Sequence, residues 1–197
     1  GTNIYLHKNS GIIVGNPFST SYGGTIKVNG TLGNEINFRG DRLDSWYDSF
    51  PGQWDRIWLY PGSVNNEFDY AIVKEGTIGI RVDTVVNASP TAIINNTIIE
   101  NMSAIGILGQ GANLEVSNTI VSSCGQYSVV CNIGGDYNFI HCTFANFWDL
   151  GTRITPSILL NNYYEDINGI LHIRDLNSSN LFLLSVVTNP KAFFLDF

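Results

Sequence analysis

The chain has 197 residues, a net charge of −7 and only 14% charged residues. Its 10 lysines and arginines form no cluster, which excludes the basic surface that nucleic acid requires. The same balance disfavours an acidic polysaccharide unless a metal ion bridges it and leaves neutral glycans compatible, while the longest apolar stretch, residues 181–187, is far short of the roughly 20 residues of a membrane-spanning helix.

In chain order, the first strand signal is Ile4-Tyr5-Leu6 behind the pair Gly1-Thr2, and the sequence is expected to open inside a repeating unit. The next is Gly24-Thr25-Ile26-Lys27-Val28-Asn29-Gly30-Thr31, leading to Ile36-Asn37-Phe38. Residues 39–56 then leave the pattern with two tryptophans, Trp46 and Trp54, and a run of aspartates, and are expected to form a long loop insertion. After it, Ile57 and Leu59 alternate with Trp58 and Tyr60, so one pair faces a core and the other a surface.

From residue 70 onward the sequence repeats. Taken as equivalent, Thr97, Thr119 and Thr143 are 22 and 24 residues apart, and Ala71 aligns 26 residues upstream of Thr97. A second phase runs through Ile78-Gly79-Ile80, Ile105-Gly106-Ile107 and Tyr127-Ser128-Val129. A period of about two dozen residues predicts a solenoid. The repeating segments are short, rich in Ile, Val and Thr, and bounded by Gly, Asn, Asp and Ser, which is strand-and-turn chemistry. The expected fold is therefore an all-β solenoid in which each strand pairs in parallel with its equivalent one coil away.

Strand alternation puts Ile94, Asn96 and Ile98 on one face and Asn95, Thr97 and Ile99 on the other. Asn96 and Asn118 would then stack as a buried asparagine ladder, with Cys142 continuing the column. Unpaired, each amide would cost on the order of 1–3 kcal/mol. The alternative placement is an exposed turn. Near the end, residues 170–173 read as a further strand, and the apolar segment 175–197 is expected to cap the C-terminal edge or to support self-association there. The whole chain, 1–197, reads as one domain of about six to eight coils.

Three stretches carry a family resemblance: Gly24 to Thr31 with Ile36-Asn37-Phe38; Gly52-Gln53-Trp54-Asp55-Arg56-Ile57-Trp58-Leu59; and the Asn-Thr-Ile-Ile and Gly-Ile units of the repeat. Over about residues 2–165 the chain resembles the right-handed parallel β-helix proteins of the pectate-lyase-like architecture, above all secreted bacterial members of uncharacterised function. The resemblance implies a right-handed parallel β-helix, an extracytoplasmic location and an association with carbohydrate. It also brings an enzymatic alternative, a polysaccharide lyase or glycoside hydrolase, with Ca²⁺ expected only for a lyase. Fold alone does not transfer activity.

The insertion supplies the candidate site. Trp46, Tyr47 and Trp54 are expected to stack on sugar C–H faces, with Asp41, Arg42 and Asp55 as polar contacts. The same aromatics could instead anchor the loop, each contributing about 1.5–3 kcal/mol of burial. No catalytic or metal-binding set emerges. Arg81 and Asp83 share a strand, but the equivalent positions in the following units are Leu108 and Gln110, then Val130 and Asn132. Between residues 101 and 135 the only Asp, Glu, Lys, Arg or His is Glu115. Lys74, Glu75, Arg81 and Asp83 read as a solvated charged face. Cys124, Cys131 and Cys142 fit no zinc spacing and are expected to be buried thiols, with His141 and Cys142 on opposite faces of one strand. The leading expectation is a non-catalytic, surface-structural or glycan-binding protein without a cofactor, with a neutral glycan or cell-surface component as partner.

Overall fold

A computed structural model describes residues 1–16, 18, 23–83, 90–145, 158–161, 163–165 and 171–173. Short β-branched runs separated by turn residues give successive strand triplets. These are β1 (Thr2–Leu6), β2 (Ile12–Val14) and β3 (Lys27–Asn29); β4 (Ile36–Gly40), β5 (Ile57–Leu59) and β6 (Asn66–Asp69); and β7 (Ala71–Lys74), β8 (Ile78–Asp83) and β9 (Ala92–Asn95). Next come β10 (Ile98–Glu100) with β11 (Ile105–Ser117), β12 (Ile120–Ser122) with β13 (Tyr127–Ile140), and β14 (Thr143–Ala145) with β15 (Ile158–Asn161). In β11 and β13 the second and third strands of a triplet have fused. β16 (Tyr163–Glu165) and β17 (Leu171–Ile173) pair with each other, antiparallel.

The first strands of the units stack as a six-stranded parallel sheet in the order β1-β4-β7-β10-β12-β14. The other strands form a nine-stranded sheet that folds around the long strands, because β11 pairs with β8 through its first half and with β9 through its second. Its pairing with β13 shifts register between Gln110 and Ala112, where Gly111 has φ +63° and bends the strand. The chain is thus an all-β solenoid of stacked parallel strands. The C-terminal segment 175–197, and part of the chain on which six to eight coils are expected, lie outside the described residues.

Stacking equivalent positions makes the core a set of columns. Phe38, Val73, Ile99, Val121 and Phe144 form one, in register across five strands. Ile57, Ile80, Ile107 and Val129 form a second, and Phe68, Ile94, Val116 and Phe139 a third. All of these side chains are at most 2% exposed. At about 1.5–3 kcal/mol per large apolar side chain, these columns are the main favourable contribution to the fold. Ile57 and Leu59 belong to the core, while Trp58 and Tyr60 stack on each other outside it, ring centroids 4.4 Å apart. That division is the one the alternation predicts.

The corners explain where simple alternation fails. Tyr70, Asn96, Asn118 and His141 occupy equivalent positions and all adopt left-handed backbone, φ +47° to +53°. A residue in that conformation turns the chain and resets which face comes next. Ile94, Thr97 and Ile99 consequently all point inward, and Ile98 points outward. The expected buried asparagine ladder is therefore corrected: Asn118 is exposed and Asn96 half-buried. Their amides instead run along the outside, Asn96 Nδ2 donating to Asp69 Oδ1 at 2.9 Å and Asn118 Nδ2 to Asn95 Oδ1 at 3.3 Å. Ser117 Oγ joins the same row by donating to Asn95 Oδ1 at 2.8 Å.

The inner corner column is threonine. Ile120 pairs with Thr143, so Cys142, not Thr143, is the equivalent of Thr119, a correction of one residue to the expected repeat. Thr97, Thr119 and Cys142 are buried and make the same local bond, donating to the carbonyl two residues back at 2.7, 2.8 and 3.4 Å. That bond satisfies a hydroxyl or thiol that burial removes from water. All three cysteines are buried thiols that take part in no disulfide. Burial pushes the Cys124 thiol up to about 12 and that of Cys142 to about 11, and raises Cys131 further. His141, by contrast, is exposed, on the opposite side from Cys142 as expected.

Candidate functional site

The insertion leaves the solenoid after β4 and returns at β5, so residues 41–56 must be held by contacts to neighbouring turns. The central contact is Glu75, which follows β7 with φ +68° and is completely buried. Its Oε2 accepts the backbone N–H of Gly40 at 3.2 Å, and its Oε1 accepts the N–H of Ser49 at 3.3 Å and Nη2 of Arg39 at 3.3 Å. Lys74 Nζ lies 3.5 Å from the same Oε1, and Asp48 bonds Arg39 Nη2 from the solvent side at 2.9 Å. A buried carboxylate is tolerated where it accepts several donors and is paired. The expectation that Glu75 lies on a solvated face is therefore corrected: it fastens the start of the loop, at Gly40, and its middle, at Ser49, to the scaffold.

Three further residues, Gly52, Gln53 and Trp54, complete the base. Gly52 N–H donates to the Gly76 carbonyl at 3.1 Å and Gln53 N–H to the Glu75 carbonyl at 2.7 Å. Gln53 Nε2 donates to the carbonyls of Tyr47 and Phe50, at 2.6 and 3.0 Å, and so holds the loop from below. Trp54 is 1% exposed and donates Nε1–H to the Lys74 carbonyl at 2.8 Å. Its ring lies against Gly76, where an added Cβ would meet Trp54 Cε2 at 2.9 Å. Trp54 thus has no face open to a sugar, and of its two expected roles the anchoring one is realised.

The crest of the loop differs from its base. Trp46 is 88% exposed, and Leu43 and Phe50 are exposed as well. Tyr47 is half-buried, with the Arg42 guanidinium 4.4 Å above its ring and Phe50 edge-on at 6.2 Å. A short hydrogen-bonded turn, Tyr47 N–H to the Asp44 carbonyl at 2.8 Å and Phe50 N–H to the Tyr47 carbonyl at 3.0 Å, shapes this crest. Asp41 pairs with His7 Nδ1 at 2.6 Å, tying the loop's first residue to the turn after β1. Asp55 pairs with Arg56 at the other end, Oδ1 to Nε at 2.9 Å and to Nη2 at 2.8 Å. Of the six expected site residues, Arg42, Trp46 and Tyr47 lie in the loop crest, Asp41 and Asp55 at its two ends, and Trp54 beneath.

Between the loop base and the first turns of the solenoid is a cavity of about 220 Å³, lined by Asn9, Gly52, Trp54, Asp55 and Thr77. Sequence reasoning missed Asn9 and Thr77. Each sits in a turn between a first and a second strand, and their proximity comes from stacking rather than from any motif.

On the neighbouring outer face, Arg81 lies 3.9 Å over the Trp58 ring and bonds Asp83, Nε to Oδ1 at 2.7 Å. Asp83 Oδ2 accepts the Trp58 Nε1–H at 2.8 Å, and Arg81 Nη2 reaches Gln110 Oε1 at 2.7 Å. The register places Leu108 and Val130 in the row of Arg81, and Gln110 and Asn132 in the row of Asp83, as the repeat predicts. Among the described residues, no group of three or more His, Cys, Asp or Glu is placed to hold a metal ion. Among them, too, no helix is long and apolar enough to cross a membrane. No protein-family model, curated protein or solved structure matches the chain.

Proposed function

We propose that this is an extracytoplasmic, non-catalytic β-solenoid that binds a neutral glycan, or a glycan-bearing cell-surface component, through its insertion. The observation that carries the reading is Trp46: an 88% exposed indole on a loop whose base is fixed by the buried Glu75, Gln53 and Trp54. An exposed aromatic held on a rigid support can stack on a sugar face without first being ordered. Arg42, Tyr47 and Asp41 supply the adjoining donors and acceptors. The acidic net charge supports a neutral ligand over an anionic one. The extracytoplasmic location and the pectate-lyase-like relationship rest on the repeat stretches that resemble secreted bacterial β-helix proteins.

The test is a glycan array probed with the wild-type chain and with Trp46→Ala. Binding to neutral glycans that Trp46→Ala reduces by at least tenfold is the expected result, and an array without any wild-type signal removes the reading.

A further inference from the structure

We infer that the cavity beneath the insertion is a subsite for a single neutral sugar ring, gripped by hydrogen bonds rather than by stacking. The inference rests on the glycan-binding reading and adds a second contact point, separate from Trp46. The cavity forms where three successive turns stack. Asn9 lies between β1 and β2, Asp55 precedes β5, and Thr77 precedes β8, with Gly52 entering from the insertion.

Its walls are held by backbone bonds. Asp55 N–H donates to the Ser10 carbonyl at 2.7 Å, Thr77 N–H to the Trp54 and Asp55 carbonyls at 2.9 and 3.0 Å, and Gly52 N–H to the Gly76 carbonyl at 3.1 Å. Backbone tied in this way needs no ordering when a ligand enters. At about 220 Å³ the space is below the roughly 300–1,000 Å³ of pockets that take drug-sized ligands, which suits one ring and not a longer chain buried whole.

The lining chemistry selects the ligand. Asp55 meets Arg56 through Oδ1 alone, so Oδ2 remains an acceptor. Asn9 makes no side-chain hydrogen bond to any described residue, leaving its amide both to donate and to accept. Thr77 Oγ1 donates to the Trp54 carbonyl at 3.1 Å and keeps its lone pairs for an incoming hydroxyl. The five lining residues include no cation to hold an anion and one carboxylate that repels it. One acid is likewise too few for a metal ion. Neighbouring hydroxyls, each a donor and an acceptor, match an arrangement of carboxylate, amide and hydroxyl. The Trp54 ring is buried and offers no stacking face, so the sugar is held by its hydroxyls alone.

The experiment measures binding of the best neutral oligosaccharide from the array, and of methyl glycosides of its component hexoses, by saturation-transfer NMR and calorimetry. The proteins are wild type, Asn9→Ala, Thr77→Val, Asp55→Asn and Trp46→Ala, each checked for native circular dichroism. Loss of one hydrogen bond to the carboxylate corresponds to a weakening of roughly tenfold or more. The expected result is that Asp55→Asn weakens binding by that factor and Asn9→Ala and Thr77→Val by about three- to tenfold, with saturation transfer on the ring hydroxyl-bearing carbons lost. Asn9→Ala and Thr77→Val leave the Asp55–Arg56 pair intact, so they decide the matter should Asp55→Asn perturb folding. If Trp46→Ala weakens binding while folded Asn9→Ala and Thr77→Val bind as wild type does, the subsite is refuted and the glycan reading stands. If wild type binds no glycan, both fall.

Discussion

Replacing Glu75 with glutamine tests how the insertion is held. The substitution keeps size and shape but exchanges one acceptor oxygen for an NH₂ group that can only donate. In the native loop the carboxylate receives the N–H groups of Gly40 and Ser49 and the side chains of Arg39 and Lys74. After exchange, at least one of the two backbone donors faces another donor, and leaving a buried N–H unsatisfied costs about 1–3 kcal/mol. Arg39 and Lys74 also lose their buried counter-charge and keep only Asp48, which is solvent-exposed. Removing one partner of a fully buried pair costs about 3–5 kcal/mol, but both cations are about one-fifth exposed and recover part of that from water. The expected total is about 2–4 kcal/mol. For a chain of this length that corresponds to a fall in Tm of roughly 4–16 °C.

The loop should also open before the solenoid does. Arg42 is exposed but lies in a segment whose two ends are tied, so trypsin must await local opening before it cuts there. Glu75→Gln should therefore speed cleavage after Arg42 by at least tenfold, with the fragments identified by mass spectrometry. An unchanged Tm together with an unchanged cleavage rate would refute the assignment of Glu75 as the fastening.

The two tryptophans of the insertion should behave oppositely under denaturant. Trp54→Ala, which removes a buried ring and its bond to the Lys74 carbonyl, should cost about 3–5 kcal/mol, whereas exposed Trp46→Ala should change stability by less than about 0.5 kcal/mol. Gly106→Ala should cost about 1–3 kcal/mol, because the added methyl would meet the Ser128 carbonyl oxygen at 2.6 Å in the tightly stacked turn; a stable variant would show that the turns have slack. Stability should also fall with rising pH above the ordinary thiol value of 9.0. In the folded chain burial holds Cys142 and Cys124 protonated up to about 11 and 12, while the unfolded chain loses those protons from 9.0 upward and is favoured by doing so. Urea midpoints should decline between pH 9 and 11, and a Cys124→Ala/Cys142→Ala variant should show a shallower decline; equal slopes would contradict the burial of these thiols.

Much of the fold was legible because solenoid stacking makes every core position recur. Ile78-Gly79-Ile80, Ile105-Gly106-Ile107 and Tyr127-Ser128-Val129 align in the structure as they do in the sequence, since Ile105 pairs with both Ile78 and Tyr127. What alternation could not give was the phase across a corner. Asn96 and Asn118 were placed beside the core by counting in twos, yet their left-handed backbone resets the count, so threonine, one residue on, takes the interior. Asparagine adopts φ > 0 more readily than most residues, and its recurrence just before each Thr was the available signal for the corner.

The same reset hid the site. Glu75, Asn101 and Ser123 hold equivalent positions at the opposite corner of the six-stranded sheet, with φ between +53° and +68°. As part of a charged run with Lys74, Glu75 reads as solvent-facing, but the turn swings it under the insertion. Glu75 belongs to the unit stacked next to the one that carries the insertion, where Gly40 holds the equivalent position; the two units after it place asparagine and serine at this corner and have no loop to hold. A repeat that departs from its consensus at a corner, directly beneath a departure in loop length, is therefore the sequence mark of a fastening. It links the two irregularities of this chain, Glu75 and residues 41–56, as parts of one device that keeps Trp46 outward.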